Sequence, residues 1–492
     1  MWSSFRVLEG SFTSFLGADR VRESLNEVGF AHSNESSKLT KGNKERAKDI
    51  KVKKKTDKNQ LPLIQDADLA GKVVLVRVDH NVVKGGIIRD PYRIDRTIGT
   101  LYNIVERGGR IILMTHVGRP RDKKTGEITC DPSTSIEPIA AYLERKLHSK
   151  IHVPAFRVKD KRGIHGIDTS INLSIKDLRQ HKVGGIYLPN TRWFEGEEAT
   201  GELRESFVRQ LAGLADVFVN DAFGSWQPHV STHDIANYLP SYAGFLMQEE
   251  ISHLDQVLRP ERPFVAVVAG AKYDTKIGPL NELYKRVDHL ILGGVIYNTY
   301  LCAKYGVRIA GVSEDDIKAA KKLVSHDRKA KKIVELPYIV ESETLGKKVR
   351  GRYRTRPVKD LARGKSYGYV LDIDSKSFRD KKVANVIGSA RTIFVNAVMG
   401  YTPHFTEGSE ALDRTIDKNQ TAWKFYGGGD TLQEFKSLCP GLYLSVLDDA
   451  LYYFFTGGGS VLKAIEENDP YGMKPVRTLI KNKKAVQKGL TR

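Results

Sequence analysis

Short apolar runs alternate with longer amphipathic stretches along the chain from Leu61 onward. In order, KVVLVRVDHN has the character of a buried strand, RTIGTLYNIVERGG that of an amphipathic helix and RIILMTHVG that of the next strand. Apolar runs that end in glycine or polar residues are typical of buried strands, and their alternation with helices favours parallel sheets covered on both faces. The sequence therefore predicts an α/β fold with parallel sheets.

Seven further apolar runs predict strands, and one long amphipathic run predicts a connecting helix. The strand candidates are GGIYLPN, DVFVNDAFG, PFVAVVAG, HLILGGV, KIVELPYIV, RTIFVNAVMG and WKFYGGGD. SYAGFLMQEEISHLDQVL, which follows Pro240, predicts a single helix. Because 492 residues exceed what one hydrophobic core usually supports, we expect two domains. The expected division is a basic extension over 1–60, domains over 61–240 and 259–468, a joining helix over 241–258, and a basic tail over 469–492 that returns to the first domain.

Composition and cysteine usage narrow the class of protein. No apolar run approaches the roughly 20 residues that a membrane-spanning helix needs, so we expect a soluble protein without a membrane partner. Cys130, Cys302 and Cys439 lack paired or metal-ligand spacing, which favours a reducing compartment and argues against a zinc site. Residues 1–30 lack a secretory signal, and their acidic residues weaken a reading as an organelle presequence. We therefore expect a cytoplasmic protein.

The formal net charge of +20 predicts anionic partners. Phosphorylated metabolites, nucleic acid and an anionic membrane surface are all consistent with charge alone. Much of the surplus lies in residues 38–58 and 347–365. Because charge runs are usually solvated, we interpret the first stretch as a tail and the second as a surface loop or hairpin.

Glycine-rich segments follow several of the predicted strands. They are ILGGV over 291–295, FYGGGDT over 425–431 and FTGGGS over 455–460. Consecutive glycines let backbone N–H groups approach phosphate oxygens, and a helix that starts after them adds its positive dipole end. Taken singly, each segment also fits a plain turn. Asp430 and Thr431 make the 425–431 segment more specific, because a carboxylate beside bound phosphate can hold Mg²⁺ directly or through water.

Two lysines in AGAKYDTKIG follow one of the predicted strands. Lys272 and Lys276 are four residues apart, so if a helix begins here, both ammonium groups lie on one face near its N-terminus. Several positive features would then converge on one anion. In isolation, the pair equally fits a solvated helix face.

Arginines lie at strand and loop ends in the first half of the chain. They are Arg77, Arg93, Arg119 and Arg192, with Asp79, Asn81 and His116 beside them. Arginine forks bind carboxylate and phosphate bidentately, so their convergence would suit a small polyanionic substrate. Any one of these arginines also fits a structural ion pair, and the histidine also fits a hydrogen-bonded structural role.

These motifs, in this order, resemble the phosphoglycerate kinase family. The match extends from about Gly71 to about Asn468 and rests on VRVDHN, THVGRP, VNDAFG, YLPSYAGFLMQEEI, AGAKYDTKIG, GGGDT and TGGGS. The resemblance implies two Rossmann-like domains with parallel sheets facing a hinged cleft, the acid on the N-terminal domain and the magnesium nucleotide on the C-terminal one. It implies reversible phosphoryl transfer between 1,3-bisphosphoglycerate with ADP and 3-phosphoglycerate with ATP, in glycolysis or gluconeogenesis. We expect the protein to be a monomer.

The resemblance also implies roles for individual residues. The acid-binding set is Arg77, Asp79, Asn81, Arg93, His116, Arg119 and Arg192. The nucleotide-binding set is Gly270, Ala271, Lys272, Lys276, Gly293, Gly294, Asn396, Gly427, Gly428, Gly429, Asp430 and Thr431. Within these sets, the residues expected to serve catalysis are Arg93, Lys272, Gly428 and Gly429, while Asp430 is expected to position magnesium.

Several positions depart from the family pattern. In GSWQPHVST, Gln227 and Pro228 replace the usual His-Arg pair and remove one arginine from the acid site, for which His229 is a candidate partial substitute. Around the nucleoside, Val295 and Asp374 replace glycines, WNGP becomes VNAV, and the acidic residue expected at the ribose is missing. These changes predict that phosphoryl transfer is kept while the nucleoside preference is altered or relaxed.

Three alternatives stay open at this point. A related carboxylate kinase with another phosphorylated acid is motivated by the loss of the arginine. A nucleic-acid-binding protein on the same scaffold would use Lys51–Lys58 and Arg350–Arg356, although we do not expect nucleic acid as a partner. A catalytically inactive relative would be expected to have lost at least one of the phosphate-facing residues, which are all present.

Overall fold

A six-stranded sheet organises the first half of the chain in the computed structural model, which describes residues 61–271 and 276–487. The strands of this half are β1 (Val73–Val78), β2 (Val83–Lys84), β3 (Ile87–Ile88), β4 (Arg110–Met114), β5 (Ile151–His152), β6 (Gly185–Tyr187), β7 (Val217–Asp221) and β8 (Ser241–Ala243). Its helices are α1 (Tyr92–Asp95), α2 (Ile98–Glu106), α3 (Glu137–Leu147), α4 (Ile171–Arg179) and α5 (Gly201–Ala212). The expected extension over residues 1–60 lies outside the described residues.

The six-stranded sheet does not include β2 and β3, which pair with each other. Its strands are parallel and lie in the order β5-β6-β4-β1-β7-β8. All six residues of β1, VVLVRV, are buried, since this strand lies between β4 and β7. Near-continuous apolar strands of this kind are typical of parallel sheets that helices cover on both faces. The predicted α/β fold with parallel sheets is confirmed.

The connecting helix is shorter than the sequence predicted. It is α6 (Phe245–Leu258), and Ser241–Ala243 instead forms the edge strand β8. The prediction of helix from residue 241 was therefore wrong for its first residues. Pairing with β7 satisfies the backbone groups on one side of Ser241–Ala243, while on the other side the Ala243 N–H donates to the Pro62 carbonyl oxygen at 2.7 Å. Gly244 separates the strand from the helix.

A second, five-stranded sheet organises the remainder of the described chain. The strands of this half, in this sheet and in smaller ones, are β9 (Phe264–Gly270), β10 (His289–Gly293), β11 (Arg308–Ile309), β12 (Tyr338–Ser342), β13 (Tyr353–Pro357), β14 (Ser366–Tyr367), β15 (Tyr369–Ile373), β16 (Thr392–Asn396), β17 (Trp423–Gly427) and β18 (Tyr452–Phe455). The helices are α7 (Ile277–Arg286), α8 (Gly294–Tyr305), α9 (Glu314–Ala330), α10 (Lys381–Ser389), α11 (Glu407–Asp417), α12 (Gly429–Leu438), α13 (Pro440–Ser445), α14 (Gly458–Glu467) and α15 (Lys474–Gln487). Parallel strands form the sheet in the order β10-β9-β16-β17-β18.

A small antiparallel sheet, β13-β12-β15, contains part of the second basic stretch. β12 and β13 form a hairpin, in agreement with the prediction of a surface loop or hairpin. Arg354 and Arg356 of β13 both form ion pairs with Glu341, at 3.0 and 2.7 Å. The first half of KIVELPYIV lies outside any strand, because only its last residues belong to β12. Lys51–Lys58 lies outside the described residues.

The last helix returns to the edge of the first sheet. The backbone N–H of Ser241 donates to Asn482 Oδ1 at 3.2 Å, and Asn482 Nδ2 donates to the Leu239 carbonyl oxygen at 3.2 Å. Among the described residues, no helix combines the length and hydropathy required to cross a bilayer. The division into two domains at the stated boundaries stays a prediction.

Candidate active site

Residues predicted to bind the acid follow the carboxyl ends of strands in the six-stranded sheet. β1 leads into Asp79 and Asn81, β4 into His116 and Arg119, and β6 into Arg192. Because β6, β4 and β1 are parallel neighbours, the residues that follow them lie at one edge of the sheet. This edge is where open parallel sheets bind their ligands.

Asp79 and Arg93 face each other at this edge. Nη1 of Arg93, which belongs to α1, lies 3.3 Å from Asp79 Oδ2. Asp79 is 4% exposed, and its Oδ1 has no hydrogen-bond partner among the described residues. A buried carboxylate oxygen without a partner costs free energy unless a ligand donates to it. Asp79 can therefore accept a hydrogen bond from a substrate hydroxyl.

Arg77 lies beneath the site rather than at its surface. It is 1% exposed, and its Nε donates to Ser231 Oγ at 2.9 Å. Ser231 Oγ in turn donates to Glu197 Oε1 at 2.5 Å, and burial raises the pKa of Glu197. Sequence analysis did not identify Ser231 or Glu197, because no chemical motif marks either position. The structure adds them as the residues that hold Arg77 in place.

Arg77 also determines which ring nitrogen of His116 carries the proton. Nη2 of Arg77 lies 3.0 Å from His116 Nδ1. A guanidinium group only donates, so Nδ1 accepts and the proton of the neutral imidazole is on Nε2. Burial, followed by the charge of Arg77, holds the pKa of His116 well below its usual range. His116 therefore offers an N–H donor to an anion at neutral pH, without a positive charge.

Gly118 connects Asn81 and Arg192, while Arg119 is free to reach a ligand. Asn81 Oδ1 accepts from the Gly118 backbone N–H at 2.9 Å, and Arg192 Nη1 donates to the Gly118 carbonyl oxygen at 2.6 Å. Arg192 also forms an ion pair with Glu198, with Nε 3.0 Å from Oε1. Arg119 is exposed, and within the described part of the chain its side chain forms no hydrogen bond or ion pair.

His229 does not replace the missing arginine with a charge. It follows Gln227 and Pro228, and its Nε2 lies 3.6 Å from Glu198 Oε1. Burial lowers the pKa of His229 to about 4, despite the opposing effect of Glu198. The imidazole is therefore neutral at pH 7, and this part of the acid site has one cation fewer than the family pattern.

In the second sheet, Lys276 lies against the ends of β9 and β16. Its Nζ donates to Asn396 Oδ1 at 2.6 Å and to the Ala269 carbonyl oxygen. Burial lowers the pKa of Lys276 to about 8. Lys276 is the N-cap residue of α7, which begins at Ile277, so it lies at the N-terminus of a helix. Lys272 lies outside the described residues.

The segments after β9 and β10 approach each other closely. Gly270 and Gly294 form an isolated parallel bridge, and Ala271 beside them is exposed. A Cβ atom at Gly293 would lie 2.5 Å from Met399 Sδ and 2.9 Å from Ala269 Cβ, so a larger residue would require these neighbours to shift. These four predicted nucleotide-site residues therefore lie together where β9 and β10 end.

Glycines join the loops of the two sheets. Gly428 has φ +125° and precedes α12, which starts at Gly429. A Cβ atom at Gly458 would lie 2.4 Å from Gly428 Cα, and one at Gly457 would lie 2.5 Å from Gly224 Cα. Gly224 follows β7 in the first sheet, whereas the other glycines follow β17 and β18 in the second. The loops that follow β7, β17 and β18 at the carboxyl ends of the two sheets therefore contact one another.

Asp430 and Thr431 occupy the first turn of α12, directly after β17 ends at Gly427. Asp430 is exposed, and Thr431 is 7% exposed. Among the described residues, no group of three or more His, Cys, Asp or Glu side chains is suited to hold a metal ion. Mg²⁺ usually keeps several waters and takes one or two carboxylates together with substrate phosphates. A single exposed carboxylate at the start of a helix fits a magnesium ion that arrives with a nucleotide.

Asp374, which sequence analysis placed in the nucleoside region, has a local structural role. Asp374 caps a turn, since its Oδ1 accepts from the Lys376 backbone N–H at 2.9 Å and its Oδ2 accepts from Thr355 Oγ1. Two further carboxyl groups, which sequence analysis did not single out, are buried nearby in Asp372 and Glu434. Burial raises the pKa of each to about 7. Only contacts in the folded chain reveal this pair, because neither residue belongs to a phosphate-binding motif.

Comparisons with known proteins agree with this geometry. The family model described as phosphoglycerate kinase matches residues 64–468. The chain is 33% identical over 417 residues to the phosphoglycerate kinase of Rubrobacter xylanophilus, which covers 83% of this chain and 96% of that protein. It is 34% identical over 412 residues to that of Roseiflexus castenholzii, which covers 82% and 95%. The solved structure of phosphoglycerate kinase from Coxiella burnetii has a TM-score of 0.65 and 25% identity, covering 86% of this chain and 99% of that one. With its motifs at the facing edges of two parallel sheets, the chain belongs to the phosphoglycerate kinase family.

Proposed function

We propose that the chain is an active phosphoglycerate kinase, which transfers a phosphoryl group reversibly between 1,3-bisphosphoglycerate with ADP and 3-phosphoglycerate with ATP. The observation that supports this most strongly is the series of glycine contacts in which Gly224 meets Gly457 and Gly458 meets Gly428. These contacts bring the arginine-rich edge of one sheet against the glycine-rich edge of the other. A donor and an acceptor, each held by one edge, can then meet in line.

The six-stranded sheet binds the acid in this proposal. Asp79 accepts a hydrogen bond from the substrate hydroxyl through its unpartnered Oδ1. Arg119 and Arg192 bind the anionic groups, and His116 donates from Nε2. Arg77 contributes indirectly, because its contact with Nδ1 keeps His116 in the donating form.

The five-stranded sheet binds the nucleotide phosphates. The backbone N–H groups at Gly428 and Gly429 lie at the start of α12, where the helix dipole favours an anion. Lys276 and the Thr431 hydroxyl add a charge and a donor. Asp430 would hold magnesium, which when bound neutralises charge on the phosphate oxygens.

Arg93 and Lys272 neutralise the phosphoryl group during transfer. The acceptor carboxylate is already ionised at neutral pH, so the reaction needs cations and backbone donors rather than a general base. Closure of the two domains around a hinge would exclude water and protect the acyl-phosphate product from hydrolysis.

A coupled assay of phosphoryl transfer from ATP to 3-phosphoglycerate tests the activity. We expect turnover by the full-length protein and its collapse in Lys272→Ala, with substrate binding retained, because the lysine chiefly serves the transition state. Absence of transfer by the wild type overturns the activity. Unchanged turnover in Lys272→Ala overturns only the role of that lysine.

The altered nucleoside region supports a second part of the proposal, namely a changed or relaxed preference among nucleotides. Val295 and the VNAV segment replace family glycines and WNGP, whereas Lys276, Asp430 and Thr431 are retained. Initial rates with ATP, GTP, CTP and UTP at equal concentration provide the test. A strong preference for ATP over the other three contradicts this part and leaves phosphoryl transfer intact.

A related carboxylate kinase with another phosphorylated acid is a second candidate. It is supported by the neutral His229 and by Pro228 at the position of the lost arginine. Replacing the bidentate guanidinium of an arginine by a neutral imidazole lowers the affinity for a phosphate group. Comparing kcat/KM for 3-phosphoglycerate with values for other phosphorylated acids separates the two, since a higher value for another acid would favour this candidate.

We further propose that the enzyme works as a cytoplasmic monomer. The three free cysteines, of which Cys302 and Cys439 are buried, are compatible with a reducing compartment. Size-exclusion chromatography with light scattering tests the oligomeric state, and cell fractionation tests the location.

A further inference from the structure

Arg93 lies in α1, directly after a loop that contains Asp90, and this loop and helix are tied to β18 and α12 of the second half of the chain. The Tyr92 hydroxyl donates to the Phe454 carbonyl oxygen at 2.8 Å, and Lys436 Nζ lies 2.5 Å from Asp90 Oδ2. These contacts join residues that are 362 and 346 positions apart in the chain. We call Asp90, Tyr92, Lys436 and Phe454 the loop anchor.

The lysine of the loop anchor lies between aromatic rings. Its Nζ is 4.7 Å from the ring centroid of Tyr92 and 4.7 Å from that of Tyr443. The Lys436 side chain is 15% exposed, whereas most ion-paired lysines of the described chain are considerably more exposed. A partly desolvated ammonium with both a carboxylate and aromatic faces as partners is held more firmly than a surface ion pair. The ion pair with Lys436 therefore fixes the position of the loop that contains Asp90.

Three members of the loop anchor belong to elements that also carry part of the proposed active site. Tyr92 directly precedes Arg93, whose Nη1 lies 3.3 Å from Asp79. Phe454 belongs to β18, which leads into the glycine loop at Gly457. Lys436 belongs to α12, whose first turn carries Asp430 and Thr431. The loop anchor thus connects the segment that carries Arg93 with the two elements that carry the glycines at 427–429 and 457–459.

We propose that Lys436 and Tyr92 are positioning residues that hold Arg93 at the transferring phosphoryl group. This inference rests on the proposed role of Arg93. In this proposal they act through the position of Arg93 and not on the acid or the nucleotide themselves. They fix the distance between the arginine and the nucleotide phosphates, and small errors in such a distance lower the rate of transfer much more than they weaken ground-state binding.

The first test replaces the lysine in the full-length protein. Lys436→Met keeps the length of the side chain and removes its charge. We expect kcat to fall about tenfold, with the KM of each substrate unchanged within about twofold. Lys436→Arg should restore part of kcat because it retains a cation. Tyr92→Phe, which removes only the hydroxyl, should lower kcat in the same pattern by a smaller factor.

Lys304 offers a matched control. It pairs with Glu335 and lies 5.6 Å from the rings of both Tyr300 and Tyr305, so it combines an ion pair with aromatic contacts as Lys436 does. It belongs to α8, and its partners Glu335, Tyr300 and Tyr305 lie outside the loop anchor. Lys304→Met should leave kcat unchanged. Thermal unfolding of every variant shows whether a loss of kcat reflects loss of folded protein, and a fall of kcat in Lys304→Met equal to that in Lys436→Met overturns the proposal.

The decisive measurement combines Lys436→Met with Arg93→Ala. If the lysine acts through Arg93, the double variant has the same kcat as Arg93→Ala alone. If Lys436→Met lowers kcat tenfold both in the wild type and in Arg93→Ala, the positioning role is overturned. If Arg93→Ala collapses turnover while Lys436→Met does not, the anchor fails and the role of the arginine stands. Full turnover in Arg93→Ala overturns the role of the arginine and the anchor with it, so the two failures are distinguishable.

Discussion

Glu250 Oε1 accepts a hydrogen bond from the backbone N–H of Thr456 at 2.7 Å. Glu250 belongs to α6, the helix between the two sheets, and Thr456 directly precedes the glycine loop at Gly457. The helix that follows the first sheet is thus bonded to the glycine loop that contacts Gly224 of the first sheet. Glu250 is fully buried, and burial raises its pKa to about 8.

The raised pKa of Glu250 makes the stability of the folded protein depend on pH. Between the ordinary pKa of 4.5 and about 8, the folded protein retains a proton that the unfolded chain has lost. The free energy of unfolding therefore falls as pH rises through this window, by roughly 1 kcal/mol per pH unit from this group alone. Glu250→Gln cannot titrate, so it should gain stability relative to the wild type from pH 5 to pH 8.

Urea unfolding of both proteins at pH 5, 6, 7 and 8 measures this difference. The comparison between the two proteins cancels the contributions of the other titrating groups. A difference that stays constant across the four pH values would show that Glu250 does not titrate in this window.

Lys276 should give the reaction an upper pH limit. Its pKa, lowered to about 8 by burial, means that the free enzyme loses this positive charge above that pH. We expect kcat/KM for the nucleotide to fall about tenfold per pH unit above pH 8, since this parameter reports groups of the free enzyme. Lys276→Arg keeps its charge at all these pH values and should lack the fall. Identical profiles for the two proteins would exclude Lys276 as the titrating group.

The contact between Arg77 and Ser231 should contribute to stability. Ser231→Ala removes the hydroxyl that accepts from Arg77 Nε and donates to Glu197, so two buried polar groups lose a partner. We expect the free energy of unfolding to fall by about 1 to 3 kcal/mol, measured by urea unfolding. Ser437→Ala serves as the control, because its hydroxyl is exposed and contacts only its own helix. Equal losses in the two variants would contradict a special role for Ser231.

Strand ends were the most predictable part of the molecule. Local pattern placed Asp79, His116 and Gly428 correctly after strands, because a buried parallel strand needs an apolar run and the residue that follows it lies at the ligand edge. Contacts between distant residues were not predictable in this way. Ser231 lies 154 positions from Arg77, and nothing in the local sequence distinguishes a strand arginine that is buried from one that reaches a ligand.

Local signals were also misleading where tertiary packing decides the structure. The amphipathic pattern of SYAGFLMQEEISHLDQVL favours a helix from its first residue, but pairing with β7 makes Ser241–Ala243 a strand. The partner of Lys276 was likewise invisible to local spacing, because its Nζ donates to Asn396 from a strand 120 positions away. In both places hydrogen-bond partners supplied by other strands add what local periodicity does not show.

Trp226 should report the binding of substrate through its fluorescence. A Cβ atom at Gly459 would lie 3.6 Å from Trp226 Nε1, so the indole lies beside the first turn of α14 and the glycine loop that meets Gly224. An anion bound at the start of this helix would change the electrostatic environment of the indole and could accept its N–H. We expect 3-phosphoglycerate and a nucleotide together to change the tryptophan emission of the wild type.

Replacement of single tryptophans assigns the signal. The chain contains four, and Trp226→Phe should remove most of the ligand-induced change. Trp423→Phe is the control, because Trp423 starts β17 at the end of the strand opposite the glycine loop. If Trp423→Phe loses the signal and Trp226→Phe keeps it, the indole at position 226 does not sense the bound ligands. The same titrations give the dissociation constant, and a weaker affinity in Trp226→Phe with an unchanged unfolding midpoint would indicate that the indole N–H donates to a ligand, since phenylalanine retains a ring but has no donor.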